Sequence, residues 1–140
     1  ISQVNDDMFS QKIIGDGFAI IPSSNIITSP IDGNVTMIAP TLHAFGIRDV
    51  NGLEFLVHIG IDTVTLNGMG FELLIDKHAN VKAGTPIIRV NLKEILVNEL
   101  DPVVMCVLTS RLIKPSKVQI DSNRNVKSGD SVCWIEYTKE

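Results

Sequence analysis

The sequence has only two cysteines among its 140 residues. Neither lies in a Cys-x-x-Cys or Cys-x-His pattern, so a metal or redox role for them is not expected. Cys106 and Cys133 are each flanked by apolar residues, in "VMCVL" and "SVCWI". This context favours buried free thiols in a reducing compartment, with a disulfide as the open alternative.

The sequence also lacks an excess of positive charge and a long apolar run. Its formal net charge of −4 disfavours nucleic acid as a partner and favours a basic protein surface. No segment approaches the roughly 20 apolar residues that cross a membrane, and no secretory signal is visible. With 140 residues, of which 44% are hydrophobic, we expect one domain over residues 1–140 with a buried core and without membrane insertion. The cysteine context favours a cytoplasmic location.

Turn residues such as Asp32-Gly33 and Asn51-Gly52 recur at intervals of roughly eight to twelve residues. Between the turns lie short β-branched and apolar runs, which fit the pleated surface of a sheet. These runs are "FAII", "NIITS", "NVTMI", "LEFLVHI", "PIIRV", "PVVMCVL" and "SVCWIEY". The pattern predicts an all-β fold, an antiparallel β-sandwich or barrel.

One short helix is expected on this β scaffold, in "NLKEILVNEL" at residues 91–100. Asn91 is the predicted N-cap, and Glu94 stands three residues later as in a capping box. Four apolar residues fall at helical spacing and are expected on the buried face: Leu92, Ile95, Leu96 and Leu100.

A histidine stands in the apolar segment "LEFLVHIGID". A period of two places Leu53, Phe55, Val57, Ile59 and Ile61 on a core face, and His58 on the opposite face. On this stretch alone, a structural or merely exposed histidine is the better interpretation.

A second histidine changes the balance. The segment "PTLHAFGI" places His43 on another predicted strand, and a period of two puts Thr41 and Phe45 on its face. An Asn-Gly turn at 51–52 lies between the two strands, so an antiparallel hairpin would bring His43 near His58. Two imidazoles and a threonine would then share one apolar patch.

Three chemistries are open to such a pair. Zinc could be bound by His43 and His58 with a carboxylate, although no His-x-His or His-Glu-x-x-His spacing is present. One ring could be a general base, but no Gly-x-Ser-x-Gly or reactive-cysteine pattern supplies a nucleophile. Alternatively, one ring is the nucleophile and carries a phosphoryl group, whose charge of roughly −1.5 to −2 the other ring helps to hold.

Four segments resemble the glucose-type enzyme IIA domain of the bacterial phosphoenolpyruvate-dependent sugar phosphotransferase system. They are "GDGFAIIPSSNIITSPIDGNVTMI", "TLHAFGI", "LVHIGIDTVTLNGMGF" and "VKAGTPII". The likeness runs in order from about Phe9 to Trp134. It implies a compact antiparallel β-sandwich or barrel that acts in the cytoplasm as a phosphotransferase component of sugar transport. It also implies an earlier strand, and so a longer natural chain.

The resemblance implies a role for several residues. His58 matches the phosphoryl acceptor, His43 the second histidine that hydrogen-bonds the phosphoryl group, and Thr41 the threonine that orients the second ring. Gly60 matches a backbone contact to the phosphoryl site. No cofactor is required by this chemistry, and zinc at His43 and His58 remains the alternative.

The resemblance also implies two protein partners. The histidine-containing phosphocarrier protein would donate the group, and a cysteine of an enzyme IIB domain of a sugar permease would receive it. An apolar collar and an acidic rim around the site would contact these partners: Phe9, Leu56 and Val64 in the collar, Asp6 and Asp62 in the rim. Leu56 replaces an aromatic residue of the enteric members, so a flatter collar is expected.

A second carrier class is indicated by Asp76-Lys77, which is similar to the Asp-Lys hairpin of lipoyl domains. Those domains are also β-sandwiches, and Lys77 would then hold a swinging arm. Here His78 follows the lysine in place of a small residue, and the chain is longer than such domains need. This interpretation is the less favoured one.

Overall fold

The computed structural model describes residues 16–22, 24–109, 115–120 and 133–137. Short strands dominate these residues, as the spacing of turns predicts. In chain order the elements are β1 (Asp16–Ile20), β2 (Ile26–Thr28), β3 (Gly33–Ile38), β4 (Ala44–Arg48), β5 (Glu54–Ile59), a 3₁₀ helix (Thr63–Leu66), β6 (Phe71–Leu73), β7 (Asn80–Val81), β8 (Pro86–Val90), α1 (Leu92–Val97), β9 (Val104–Leu108), β10 (Pro115–Ile120) and β11 (Cys133–Tyr137).

The strands form one large and one small sheet, and a separate pair. The large sheet has six strands in the order β1-β9-β5-β4-β3-β7, and the small sheet has three in the order β2-β8-β6. Strands β10 and β11 form the pair. Every pairing is antiparallel in the described residues. The prediction of an antiparallel all-β fold with one short helix is confirmed.

The main core lies between the large and the small sheet. Phe45, Ile47 and Val57 of the large sheet belong to the same buried cluster as Ile88 and Val90 of the small sheet. A cluster shared by two sheets is the packing of a β-sandwich, in which side chains of the two inner faces interdigitate. The predicted alternation is confirmed as far as Ile59, because Leu53, Phe55, Val57 and Ile59 are all buried in this core. Ile61 is buried as well, but in a second cluster, because the strand ends at Ile59.

A second buried cluster lies on the other face of the large sheet. Met105 and Val107 of β9 belong to it and have no exposed surface. Met105 pairs with His58, and Val107 pairs with Leu56. Directly opposite residues of an antiparallel pair share a face, so an apolar cluster adjoins the face that carries His58.

The helix α1 begins as predicted, with one difference. The side chain of Asn91 accepts a hydrogen bond from the Glu94 amide at 3.4 Å, so the predicted N-cap is confirmed. The amide of Asn91 donates to the carbonyl of Gly70 instead, at 2.7 Å. The Glu94 carboxylate contacts the side-chain amide of Asn98. The reciprocal half of the capping box is therefore replaced by a contact with the preceding loop.

The buried face of α1 is narrower than predicted. Ile95 is fully buried, and Leu92 and Leu100 pack partly buried against the main core. Leu96 is 59% exposed, so its place on the buried face was wrong. Leu96 lies one residue beyond Ile95 and therefore about 100° further round the helix, where a helix of six residues no longer meets the core.

The two cysteines lie in strands, as their apolar neighbours suggest. Cys106 is buried in the main core. The side chain of Cys133 is not among those that the structure describes, so its burial remains a prediction. In the described part of the chain, no helix has the length and hydrophobicity of a membrane span.

Candidate active site

His58 reaches the surface because of the pleat of β5. The strand alternates between half-buried and buried residues, so His58 stands half-buried on the face opposite the main core. The strand ends at Ile59, and Gly60 follows with a φ of 75°. His58 therefore lies at the end of a strand, next to a sharp change of backbone direction.

The hairpin of β4 and β5 brings His43 to His58, as predicted. Ala44 pairs with His58 in the β4–β5 ladder, and the amide of Ile59 donates to the carbonyl of His43 at 2.7 Å. The two imidazole centroids are 5.2 Å apart, with an angle of 76° between the ring planes. This edge-on arrangement leaves both rings at the same end of the large sheet.

Thr41 meets His43 through a turn and not through the pleat of a strand. Strand β4 begins at Ala44, and Leu42 has a φ of 61°, so residues 41–43 are not extended. The hydroxyl oxygen of Thr41 nevertheless lies 2.5 Å from Nδ1 of His43. The predicted contact is present, although its predicted origin was wrong.

Phe45 does not line the site. It pairs with Val57 across the hairpin and packs fully buried in the main core. Because the pleat begins only at Ala44, the period of two cannot be extended back from Phe45 to His43. The prediction that Phe45 shares the face of His43 was wrong for this reason.

The two rings differ in their surroundings. Nδ1 of His58 is buried although the residue as a whole is half-buried. Burial lowers the pKa of His43 below its ordinary value of 6.5, because removal from water disfavours the charged imidazolium. The second ring is therefore held in its neutral form at neutral pH.

The turn after His58 is fixed by several hydrogen bonds. The amide of Gly60 donates to the carbonyl of Val103 at 2.7 Å, and the amide of Ile61 donates to the carbonyl of Asp101 at 2.9 Å. The buried hydroxyl of Thr63 donates to the carbonyl of Ile59. Since the Gly60 amide is already engaged, only its carbonyl is left for the backbone contact that the resemblance implies.

The predicted collar and rim are described in part. Leu56 is half-buried two residues before His58, and Val64 is 51% exposed. Asp62 is exposed, but its φ is 58° and it precedes the 3₁₀ helix. Since β5 ends at Ile59, Asp62 is not on the strand face of His58, as a regular strand would have placed it. The predicted residues Phe9 and Asp6 lie outside the described residues.

The sequence pattern missed three residues next to the site. Met105 pairs with His58 on β9, and β-strand pairing between distant segments leaves no local signal. Thr63 was overlooked although it lies in the same motif. Asp101 was missed as well: its carboxylate accepts a hydrogen bond from the Val103 amide at 3.0 Å in a half-buried turn. The Asp-Pro sequence at 101–102 is the signal from which this turn could have been predicted.

The described geometry gives little support to a zinc site or to a lipoyl-type carrier. Among the described residues, no group of three or more His, Cys, Asp or Glu side chains is arranged to hold a metal ion. Zinc at the two imidazoles would thus need ligands from elsewhere, because such sites use three or four protein ligands. Lys77 is exposed and lies in the connection between β6 and β7, remote in the sequence from both histidine strands.

Comparison with known proteins places this chain in a class. Residues 1–112 match the family model described as phosphoenolpyruvate-dependent sugar phosphotransferase system, EIIA 1. The fold and the matched residues define a phosphotransferase component of sugar transport. The chain belongs to the EIIA 1 family of the phosphoenolpyruvate-dependent sugar phosphotransferase system.

Relatives of known identity cover nearly the whole chain. A glucose-specific EIIA component of Staphylococcus epidermidis is 37% identical over 131 residues, which are 94% of this chain and 78% of the relative. A glucose-specific EIICBA component of Staphylococcus carnosus is 37% identical over 97% of this chain, which spans 20% of that longer protein. The structure of the glucose permease IIA from Mycoplasma capricolum superposes with a TM-score of 0.87, at 36% identity and over 94% of this chain and 84% of the other.

Proposed function

We propose that His58 accepts a phosphoryl group from one protein of the sugar phosphotransferase system and passes it to another. The observation that carries this proposal is the edge-on pair of imidazoles, 5.2 Å apart at one end of the large sheet. The family supports it, because an EIIA component works between a phosphocarrier protein and a permease. The residue roles below follow from the chemistry of the pair.

The acceptor atom in this proposal is Nε2 of His58. Its Nδ1 is buried, so a partner reaches the ring from the Nε2 side, with the proton of the neutral ring on Nδ1. Nε2 attacks the phosphorus of a phosphohistidine on the histidine-containing phosphocarrier protein. A nitrogen–phosphorus bond forms at His58 while the donor's bond breaks, and its electron pair returns to the donor imidazole.

His43 stabilises the charge of the transferred group. The Thr41 hydroxyl lies 2.5 Å from Nδ1 of His43. In this proposal the hydroxyl donates to Nδ1, which places the proton of the neutral ring on Nε2. An Nε2–H group is then available as a donor to a phosphoryl oxygen. Because burial lowers the pKa of His43, the ring of the free protein is neutral at neutral pH, and the hydrogen bond from Thr41 then selects this tautomer.

In onward transfer, His58 is the leaving group at phosphorus and no longer the nucleophile. A cysteine thiolate of an enzyme IIB domain attacks the phosphoryl group, and the electron pair of the broken bond returns to Nε2 of His58. The negative charge of the bound phosphoryl group favours the imidazolium form of His43, so the ring can take a proton from water onto Nδ1 and stabilise the group as it moves to the cysteine. The transfer as proposed uses protein groups alone, so it depends on positioning and electrostatic stabilisation.

The surroundings of the rings suit brief encounters. Val64 and Leu56 supply apolar surface near the site, and Asp62 adds an exposed carboxylate. A small apolar contact excludes water from the reacting groups and still allows rapid release, as a relay requires. The acidic net charge of the chain favours a basic docking surface on the donor.

The test is phosphoryl transfer from the phosphorylated histidine-containing phosphocarrier protein, charged from phosphoenolpyruvate by the upstream proteins of the system. The modified residue is mapped by mass spectrometry under alkaline conditions that preserve phosphohistidine, and ³¹P NMR distinguishes the two ring nitrogens. Modification of His58 at Nε2 is expected. Modification of His43, or of neither histidine, would overturn the proposal.

A further inference from the structure

We infer that Thr63 is a positioning residue for both imidazoles, acting through the backbone of Ile59. The inference deepens the proposed function and rests on it, because the relative position of the two rings matters only if His58 carries the phosphoryl group and His43 stabilises it. Thr63 has no exposed surface, and a buried hydroxyl is expected to have a specific hydrogen-bonding role. Its hydroxyl donates to the carbonyl of Ile59.

Ile59 links the two histidines directly. It follows His58 in the chain, and its amide donates to the carbonyl of His43 at 2.7 Å. In an antiparallel ladder the amide and the carbonyl of one residue project to the same side of the strand. The Ile59 carbonyl therefore projects toward β4. The segment before β4 has turned away from β5 at Leu42, so the donor to the Ile59 carbonyl is the Thr63 hydroxyl.

The methyl group of Thr63 fills space that Gly60 leaves open. A Cβ atom at Gly60 would press against the Thr63 methyl and lie 3.0 Å from the carbonyl oxygen of Asp101. Gly60 also has a φ of 75°, which side chains rarely adopt. Hydroxyl and methyl together hold the end of β5 in one conformation, with the Gly60 amide fixed on Val103.

Loss of this hydrogen bond should change the rate of transfer more than the docking of partners. Thr63 is buried, so a partner does not touch it. A small displacement of reacting groups slows a reaction without weakening binding, and a 1 Å error can cost about 100-fold. We therefore expect Thr63→Val to lower kcat for phosphoryl acceptance roughly tenfold, with KM for the donor protein nearly unchanged.

Two further variants separate positioning from general structure. Thr63→Ser keeps the hydroxyl and loses the methyl, so it should restore most of kcat. Thr65→Val removes a comparable bond, from the Thr65 hydroxyl to the Asp62 carbonyl at 2.7 Å, in the same 3₁₀ helix but at the surface. Its kcat should stay within about twofold of wild type, because this bond does not reach Ile59.

The experiment measures kcat and KM with the phosphorylated carrier protein as donor, and ¹⁵N–¹H spectra of the imidazoles without donor. Thr63→Val should shift the ring resonances of His43 and His58, while Thr63→Ser should resemble wild type. Unchanged kcat and unchanged ring spectra in folded Thr63→Val, or equal slowing by Thr65→Val, would overturn the inference. If Thr63→Val does not fold, Thr63→Ala is compared with Thr63→Ser, because these two variants differ only in the hydroxyl; equal kcat and equal ring spectra in the two would overturn the inference.

The two proposals fail in different ways. If wild-type protein is not modified at His58, the proposed function is wrong, and the ring spectra alone then report whether Thr63 fixes the imidazoles. If wild type is modified at His58 and Thr63→Val is modified equally fast, only the inference about Thr63 is wrong.

Discussion

The amide of Ile59 donates to the carbonyl of His43 at 2.7 Å, so the residue after one imidazole is bonded to the backbone of the other. This bond lies at the end of the β4–β5 ladder, where β4 begins and β5 ends. The distance between the two rings is thus fixed by backbone pairing and not by the side chains alone. Substitution of either ring should therefore lower the rate of phosphoryl transfer strongly, and substitutions at the surface should lower it less.

We predict that His58→Gln abolishes phosphoryl acceptance, because it removes the proposed nucleophile. Incorporation of label from the phosphorylated carrier protein measures this. His78→Gln is the matched control, since His78 is exposed in the turn before β7, and it should be labelled like wild type. Labelling of His58→Gln at the wild-type rate would show that another residue accepts the group.

We predict that His43→Gln still accepts the group but passes it on poorly. Glutamine can donate one hydrogen bond to a phosphoryl oxygen, yet it cannot change its protonation state. General acid–base assistance contributes roughly 100-fold or more, so onward transfer to an enzyme IIB domain should fall by about that factor. A two-step assay measures acceptance and onward transfer separately.

Thr41→Val provides the graded comparison for His43→Gln. It leaves the ring in place and removes the hydroxyl that lies 2.5 Å from Nδ1, so the tautomer is no longer selected. Onward transfer should be intermediate between wild type and His43→Gln. If His43→Gln lost acceptance and kept onward transfer, the roles of the two rings would have to be revised.

The lowered pKa of His43 predicts a pH dependence of stability. As the pH falls below 6.5, the ordinary value, the unfolded chain binds a proton at His43 before the folded protein does. The free energy of unfolding should therefore fall from that pH downward and level off below the lowered pKa. Urea unfolding at a series of pH values measures this contribution.

His43→Gln serves as the reference for the pH series, because it lacks the titrating group. Wild type should lose more stability than this variant between pH 7.5 and acidic pH. Proton NMR of the ring should also give a lower midpoint for His43 in the folded protein than in urea. Equal slopes in the two proteins and equal midpoints would contradict the burial effect.

We predict that Asp62→Lys slows acceptance from the carrier protein by about three- to tenfold at low salt, chiefly through weaker association. Asp62 is exposed beside Val64, so its carboxylate can steer a basic donor surface. Raising salt should slow wild type in the same direction, since charges are screened over roughly 8–10 Å in ordinary buffers. Asp76→Lys makes the same charge change at another exposed position and should have less effect. Similar rates for Asp62→Lys and wild type at low salt would place the docking surface elsewhere.

Local sequence pattern determined a large part of this protein. The alternation around His58 predicted which face of β5 is buried, because the period of a strand depends only on the backbone. The Asn-Gly turn at 51–52 predicted that His43 and His58 lie close together, since a hairpin joins strands that are adjacent in sequence. The motif "LVHIGIDTV" and its companions predicted the family. The extent of the domain over residues 1–140 stays a prediction.

Tertiary structure alone decided the details that orient the rings. Strand β4 begins at Ala44 because Leu42 adopts a left-handed conformation, which separates Phe45 from the site and turns Thr41 toward His43. Met105 reaches His58 through the pairing of β5 with β9, two segments far apart in the sequence. The pairing of distant strands depends on the burial of whole sheets, so it leaves no local sequence pattern. A left-handed conformation at a residue other than glycine depends on the contacts around that residue, so it leaves none either.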